Sequence, residues 1–151
     1  MMNAEEIKQG LVESCFMEID ERADSLKAAM DEAQQSANEY GPPKDRYDSY
    51  RTQLLRKRDM FAQQLQKILE QRSVLEKVDP EKKIGKVAFG ALVITDSQKI
   101  FVSIGLGRII SEGEEYFVIS PGVPIYQSME GLKAGDTFSF RGQNFSIREI
   151  L

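Results

Sequence analysis

Apolar residues recur along the N-terminal part of the chain at alternating steps of four and three: Val12, Phe16, Ile19, Ala23, Leu26, Met30, Ala33, Ala37 and Tyr40. That spacing lays one apolar stripe along a helix and matches the seam of a coiled coil. The stripe stops at Gly41-Pro42-Pro43. Beyond the break, Tyr47, Leu54, Phe61, Ile68 and Leu75 recur every seven residues. The pattern predicts two long helices, residues 3–40 and 44–77, folded into an antiparallel hairpin with its tip at 41–48. Each proline lacks an N–H and pushes the residue before it out of the helical region. Gly41 suits a left-handed cap on the first helix, and Lys44 or Asp45 is expected to start the second. At 1.5 Å per residue the helices would be roughly 50–57 Å long, so much of the rod should stand in solvent.

After residue 78 the pattern changes. Residues 79–85 read as a polar linker with a proline at Pro80, and residues 86–151 as a second domain. Val87–Ile94 and Ile100–Ile104 are strand-like and flank a polar turn at Asp96–Lys99. Arg108–Ile110 and Tyr116–Ile119 flank Ser111–Glu115. Thr137–Phe140 and Asn144–Ile150 flank Arg141-Gly142-Gln143. These are hairpin signatures. Pro124–Leu132 reads as one short helix. The expected fold class is α+β: a long helical hairpin followed by a small antiparallel sheet covered by one helix.

Charge sharpens the hairpin. Helix one carries ten Asp/Glu against three Lys/Arg, a net of −7; helix two carries five against nine, a net of +4. Opposite charges on antiparallel neighbours favour pairing across the flanks of the seam. The whole chain has 151 residues and a net charge of −4, which argues against a general nucleic-acid coat protein but not against a local contact. The chain has no histidine. That removes Ser-His and Cys-His nucleophile pairs, His-ligated zinc and a histidine general base. The single Cys15 can form no internal disulfide and is expected to be a small core residue. No run of about 18 apolar residues predicts a membrane span. The start, Met1-Met2-Asn3-Ala4-Glu5-Glu6, lacks the basic and apolar regions of a signal peptide, so a cytoplasmic protein is expected.

The segment Ile119-Ser120-Pro121-Gly122-Val123-Pro124-Ile125-Tyr126-Gln127-Ser128-Met129-Glu130-Gly131-Leu132-Lys133-Ala134-Gly135-Asp136 resembles the Gre family of bacterial transcription elongation factors. Val123-Pro124-Ile125, Gly131-Leu132-Lys133 and Gly135-Asp136 fit the family pattern, with Val123 in place of its usual Ser. Asn144–Leu151 is similar to the family's last strand. The resemblance covers the hairpin, the linker and the C-terminal domain, and implies an FKBP-like fold for that domain. It implies docking on bacterial RNA polymerase, with Val123, Pro124 and Ile125 at the contact. It also implies that the hairpin enters the secondary channel of the polymerase, close to nascent RNA and DNA; a monomer is expected, since the hairpin buries its own seam.

In that family two tip carboxylates three residues apart help hold a second Mg²⁺ in the polymerase active site, and the polymerase then hydrolyses backtracked RNA. The chemistry suits Mg²⁺, which prefers oxygen ligands, and a second metal can stabilise both oxygens of a phosphodiester displacement. The family tip reads approximately Gly-Asp-Leu-Lys-Glu-Asn-Ala-Glu-Tyr, against Gly41-Pro42-Pro43-Lys44-Asp45-Arg46-Tyr47-Asp48-Ser49-Tyr50 here. Matching Gly41 and Lys44 places Asp45 on the second acid and Pro42 on the first. Sliding by three recovers the spacing with Asp45 and Asp48. The resemblance therefore implies Asp45 and Asp48 as catalytic and Mg²⁺-binding residues, or a channel-binding regulator without cleavage.

Other residues carry two readings each. As helix N-terminal acids, Asp45 and Asp48 would simply suit the dipole. The basic run Arg56-Lys57-Arg58 either pairs with the acidic first helix or contacts RNA or the channel. Tyr40 and Tyr47 sit on the seams and are expected to pack together, while Tyr50 could stack on a base. Gly105-Leu106-Gly107 reads as a turn or bulge. Two further functions compete: a prolyl isomerase on the FKBP-like fold, and a coiled-coil scaffold. The C-terminal aromatics fall in strand patterns that suggest core, which disfavours the first. A hairpin that buries its own seam has little reason to dimerise, which disfavours the second.

Overall fold

The computed structural model describes residues 2–151. Its elements run α1 (Ala4–Tyr40), α2 (Tyr50–Leu75), β1 (Leu92–Thr95), β2 (Lys99–Val102), β3 (Gly107–Ser111), β4 (Glu114–Ile119), α3 (Pro124–Met129), β5 (Thr137–Phe140) and β6 (Gln143–Ile150). Packing divides the chain into two compact units: Glu18–Arg72, and the residues up to Met17 together with Ser73–Leu151.

α1 starts where Asn3 caps it. The Glu6 N–H donates to Asn3 Oδ1 at 2.9 Å, satisfying one of the donors that a helix start leaves unpaired. Glu5 and Glu6 lie in the first turn, where the dipole favours acids. The helix ends at Gly41, whose φ of 79° is open to glycine without a Cβ clash. The Gly41 N–H donates to the Ala37 carbonyl at 3.1 Å, closing the last turn as expected.

The unit Glu18–Arg72 is the antiparallel hairpin. Its cross-helix contacts pair rising numbers on one helix with falling numbers on the other. Arg72 Nε donates to Asp20 Oδ1 at 3.1 Å, Arg58 donates to Gln34 Oε1, and the Tyr40 and Tyr50 rings meet edge to face at 4.8 Å. Ile19, Ala23, Ala33 and Ala37 of the stripe are buried; Leu26 and Met30 are half-buried. On α2, Leu54, Phe61 and Ile68 are half-buried. Arg58 and Arg72 stand at the positions that alternate with them, so the α2 side of the seam is apolar only in part. This explains why its repeat shows as every seventh residue rather than every third and fourth.

α2 begins at Tyr50 and not at Lys44 or Asp45. Asp45 and Asp48 capture the backbone N–H groups of Tyr47 and Tyr50, and these local bonds compete with helix. The first helical bond runs from the Gln53 N–H to the Ser49 carbonyl, at 2.9 Å.

In the other unit one sheet orders its strands β3-β4-β2-β1-β6-β5. All neighbours are antiparallel except β2 and β4, which pair parallel through Ile100↔Phe117, Phe101↔Val118 and Val102↔Ile119. The three expected hairpins are present, but the sheet is not wholly antiparallel: β3 takes the edge and β4 returns beside β2. β1 is also shorter than the strand-like run Val87–Ile94. Gly90 turns the chain at φ 89°, and Val87 instead pairs with the end of α3. Its N–H donates to the Leu132 carbonyl at 2.8 Å, and its carbonyl accepts from the Gly131 N–H at 2.9 Å.

The two sheet faces bury different sets, as strand alternation requires. Val93, Ile100, Val102, Phe138, Phe145 and Ile147 pack with Tyr126 and Met129 of α3. Leu92, Phe101 and Val118, which are partners in register, occupy the opposite face and are buried too. The first turns of α1 pass close to β3, since a Cβ on Gly10 would lie 3.8 Å from Ser111 Oγ. Leu11, Cys15, Leu75 and Val78 are buried as well. No helix among the described residues is long and apolar enough to cross a membrane.

Candidate functional site

The loop 41–49 is held by one carboxylate. Asp48 Oδ2 accepts the Tyr40 hydroxyl at 2.5 Å and the Lys44 N–H at 2.7 Å. Its Oδ1 accepts the Tyr50 N–H at 3.0 Å. Three donors on one carboxylate tie the end of α1, the loop and the start of α2 together. The Lys44 N–H and then the Tyr40 hydroxyl hold the Asp48 carboxyl below the ordinary carboxylate range, because they stabilise its charged form. The same bond, with the charge of Asp48 behind it, pushes the Tyr40 phenol up to about 12. Lys44 adds a second tie, its Nζ donating to the Tyr40 carbonyl at 2.9 Å and lying 4.6 Å from the Tyr40 ring centroid.

Asp45 is placed differently. It is exposed, and its Oδ1 accepts the Tyr47 N–H at 2.8 Å in a local turn. The two carboxylates thus differ in their engagement: Asp48 meets three donors and Asp45 one. Mg²⁺ demands near-octahedral oxygen geometry, and any Asp48 oxygen offered to it would be shared with bonds that shape the loop. Among the described residues no group of three or more His, Cys, Asp or Glu could hold a metal ion.

Tyr47 does not pack on Tyr40. The loop turns it outward to 79% exposure, and Tyr50 takes the place against Tyr40. The seam spacing could not show this, because Tyr47 lies in the loop and not on the helix. Arg46, which the sequence reading left aside, stacks on Tyr47: its guanidinium carbon is 4.8 Å from the ring centroid, and its Nη2 donates to the Tyr47 hydroxyl at 2.6 Å.

The basic run is divided. Arg58 is half-buried and donates to Gln34 and to its neighbour Asp59. Arg56 and Lys57 are exposed, Lys57 lying over the Phe61 ring at 6.0 Å. Consecutive helix positions point in different directions, so the run is not one surface patch.

The C-terminal candidates sit at the start of α3. Pro124 is at the first turn of the helix, where its missing N–H costs nothing, and it is exposed. Val123 and Ile125 are half-buried against the core. The surface here is thus made by Pro121, Gly122 and Pro124, with the exposed parts of Val123 and Ile125. The aromatics Phe101, Tyr116, Phe138 and Phe145 are buried, as the strand patterns indicate, and so is Tyr126 on α3.

No family model matches the chain, and no match was found among curated proteins. Among solved structures the chain is similar to GreA factor homolog 1 (Gfh1) of Thermus thermophilus. The match has 16% identity and covers 90% of this chain and 94% of that one, with a TM-score of 0.35.

Proposed function

We propose that this chain is a Gre-type transcription factor that binds bacterial RNA polymerase and acts as a channel-occupying regulator without transcript cleavage. The C-terminal domain docks through the surface around Val123, Pro124 and Ile125, and the hairpin tip enters the secondary channel. The resemblance at Ile119–Asp136 and the hairpin with its tightly tied tip support binding. The observation that carries the regulatory half is the state of Asp48. Its carboxylate is committed to Tyr40, Lys44 and Tyr50, so it serves as a loop staple rather than a metal ligand. Arg56 and Lys57 are the members of the basic run left to meet RNA or the channel wall.

A second reading, stimulation of the polymerase's own Mg²⁺-dependent cleavage, is favoured by Asp45 alone. That carboxylate is exposed and has one of its oxygens engaged.

The test is cleavage of deliberately backtracked RNA in stalled complexes of the cognate polymerase with Mg²⁺. Wild type is compared with Asp45→Ala and Asp48→Ala, and binding is followed in the same tubes by co-sedimentation. Binding without RNA shortening is the expected result. Shortening that disappears in Asp45→Ala would overturn the regulatory reading in favour of cleavage, and absence of binding would overturn both.

A further inference from the structure

We propose that the hairpin tip carries a nucleobase-stacking platform, in which the exposed ring of Tyr47, backed by Arg46, takes a base of single-stranded RNA. The Tyr47 ring is 79% exposed and lies against Arg46. The loop does not use it: Asp48 ties the turn through Tyr40, Lys44 and Tyr50, and Tyr40 has Tyr50 as its ring partner. The Arg46 guanidinium covers the ring at 4.8 Å and holds its hydroxyl at 2.6 Å, so the ring is oriented while remaining accessible. An aromatic face accepts any base, and a guanidinium beside it adds cation–π attraction and a partner for phosphate.

Charge points to the same ligand. Lys44, Arg46 and Arg51 surround the ring in sequence, against Asp45 and Asp48. Three basic residues against two acids leave residues 44–51 at a net of +1, where the first helix carries −7, so a polyanion would meet this tip in preference to the body of that helix.

The inference deepens the function proposed above, because a channel-entering tip is the part that would reach an RNA end. Its test does not depend on polymerase. The full chain is titrated into a short fluorescent single-stranded RNA, followed by anisotropy, with an abasic strand of the same length alongside. Tyr47→Ala is expected to weaken RNA binding by roughly 5- to 150-fold, the range for loss of one stacked base. Tyr47→Phe keeps the ring but loses the bond from Arg46, and is expected to bind RNA more tightly than Tyr47→Ala. Arg46→Ala is expected to weaken binding and to reduce the log–log salt slope by about 0.7, one released counterion on a single strand.

Equal binding of RNA by wild type and Tyr47→Ala would overturn the proposal. So would equal binding of the abasic strand and the RNA by wild type, or no RNA binding at all. If Tyr47→Ala loses polymerase co-sedimentation but keeps RNA affinity, the ring contacts protein and the proposal fails. If RNA stacking holds while wild type does not co-sediment with polymerase, only the polymerase reading falls.

Discussion

Among the described residues Lys8 is the most deeply buried charged side chain, and replacing it separates packing from electrostatics. It lies on α1 at 2% exposure, its Nζ donating to the Lys82 carbonyl at 3.1 Å and the Leu151 main-chain oxygen at 3.3 Å. Lys8→Met keeps most of the stem and removes the ammonium. Hydrogen bonds from a charged group contribute about 1.5–3 kcal/mol each, and two bonds this long belong at the low end. The Leu151 oxygen keeps a second donor, the Leu92 N–H at 3.1 Å. Removing a desolvated charge works in the opposite direction. The net expectation at pH 7 is a loss of about 1–2 kcal/mol. Lys8→Ala also deletes three methylenes of stem, adding about 2.4 kcal/mol at 0.8 each.

The pH dependence is the sharper part. Burial lowers the Lys8 pKa from 10.5, and nearby Asp79 opposes it only partly. Between the folded and unfolded values the unfolded chain therefore binds more protons, so stability rises with pH across that window. The contribution is complete only above 10.5. Lys8→Met lacks this rise. Urea unfolding followed by circular dichroism should show wild type ahead of Lys8→Met at pH 7, with the gap widening as pH rises towards 10.5. A Met variant more stable than wild type at pH 7, or a gap that stays flat or narrows, would refute the reasoning.

Asp48→Asn should return the Tyr40 phenol from about 12 towards its ordinary value, visible as tyrosinate absorbance at lower pH. In wild type the sign of that linkage is opposite to that of Lys8: the folded chain holds the Tyr40 proton longer, so stability falls as pH rises from 10 towards 12. Gly41→Ala should cost about 1–2 kcal/mol, measured by thermal unfolding. The position has open space but a φ of 79°, so the cost is backbone strain and a loss near zero would contradict the cap. Phe101→Ala, at a fully buried site, should cost about 3–5 kcal/mol by urea unfolding. A loss below about 1 kcal/mol would mean that this face of the sheet is not packed as described.

The hairpin was legible because a helix repeats its facing residues locally. Val12 to Tyr40 and Leu54 to Leu75 mark their own faces, and Gly41-Pro42-Pro43 can only end a helix. The strands around Ser111–Glu115 and Arg141–Gln143 were legible for the same reason. The start of α2 was not, since Asp45 and Asp48 are acceptable helix-start acids until their carboxylates are seen to take loop N–H groups. Arg46 was overlooked because a single arginine in a turn carries no periodic signal. Its stacking on Tyr47 depends on where the loop points both side chains.

By itself, the sequence determined two long helices, a rigid break between them and a set of short strands around one short helix, all consequences of contacts within a few residues. Tertiary structure decided the rest: the parallel pairing of β2 with β4, the burial of Lys8 against Lys82 and Leu151, and the engagement of Asp48 by Tyr40, Lys44 and Tyr50. Each depends on which groups meet across a long separation or a turn, and a carboxylate or an ammonium takes its role from the donors and acceptors that the fold brings to it.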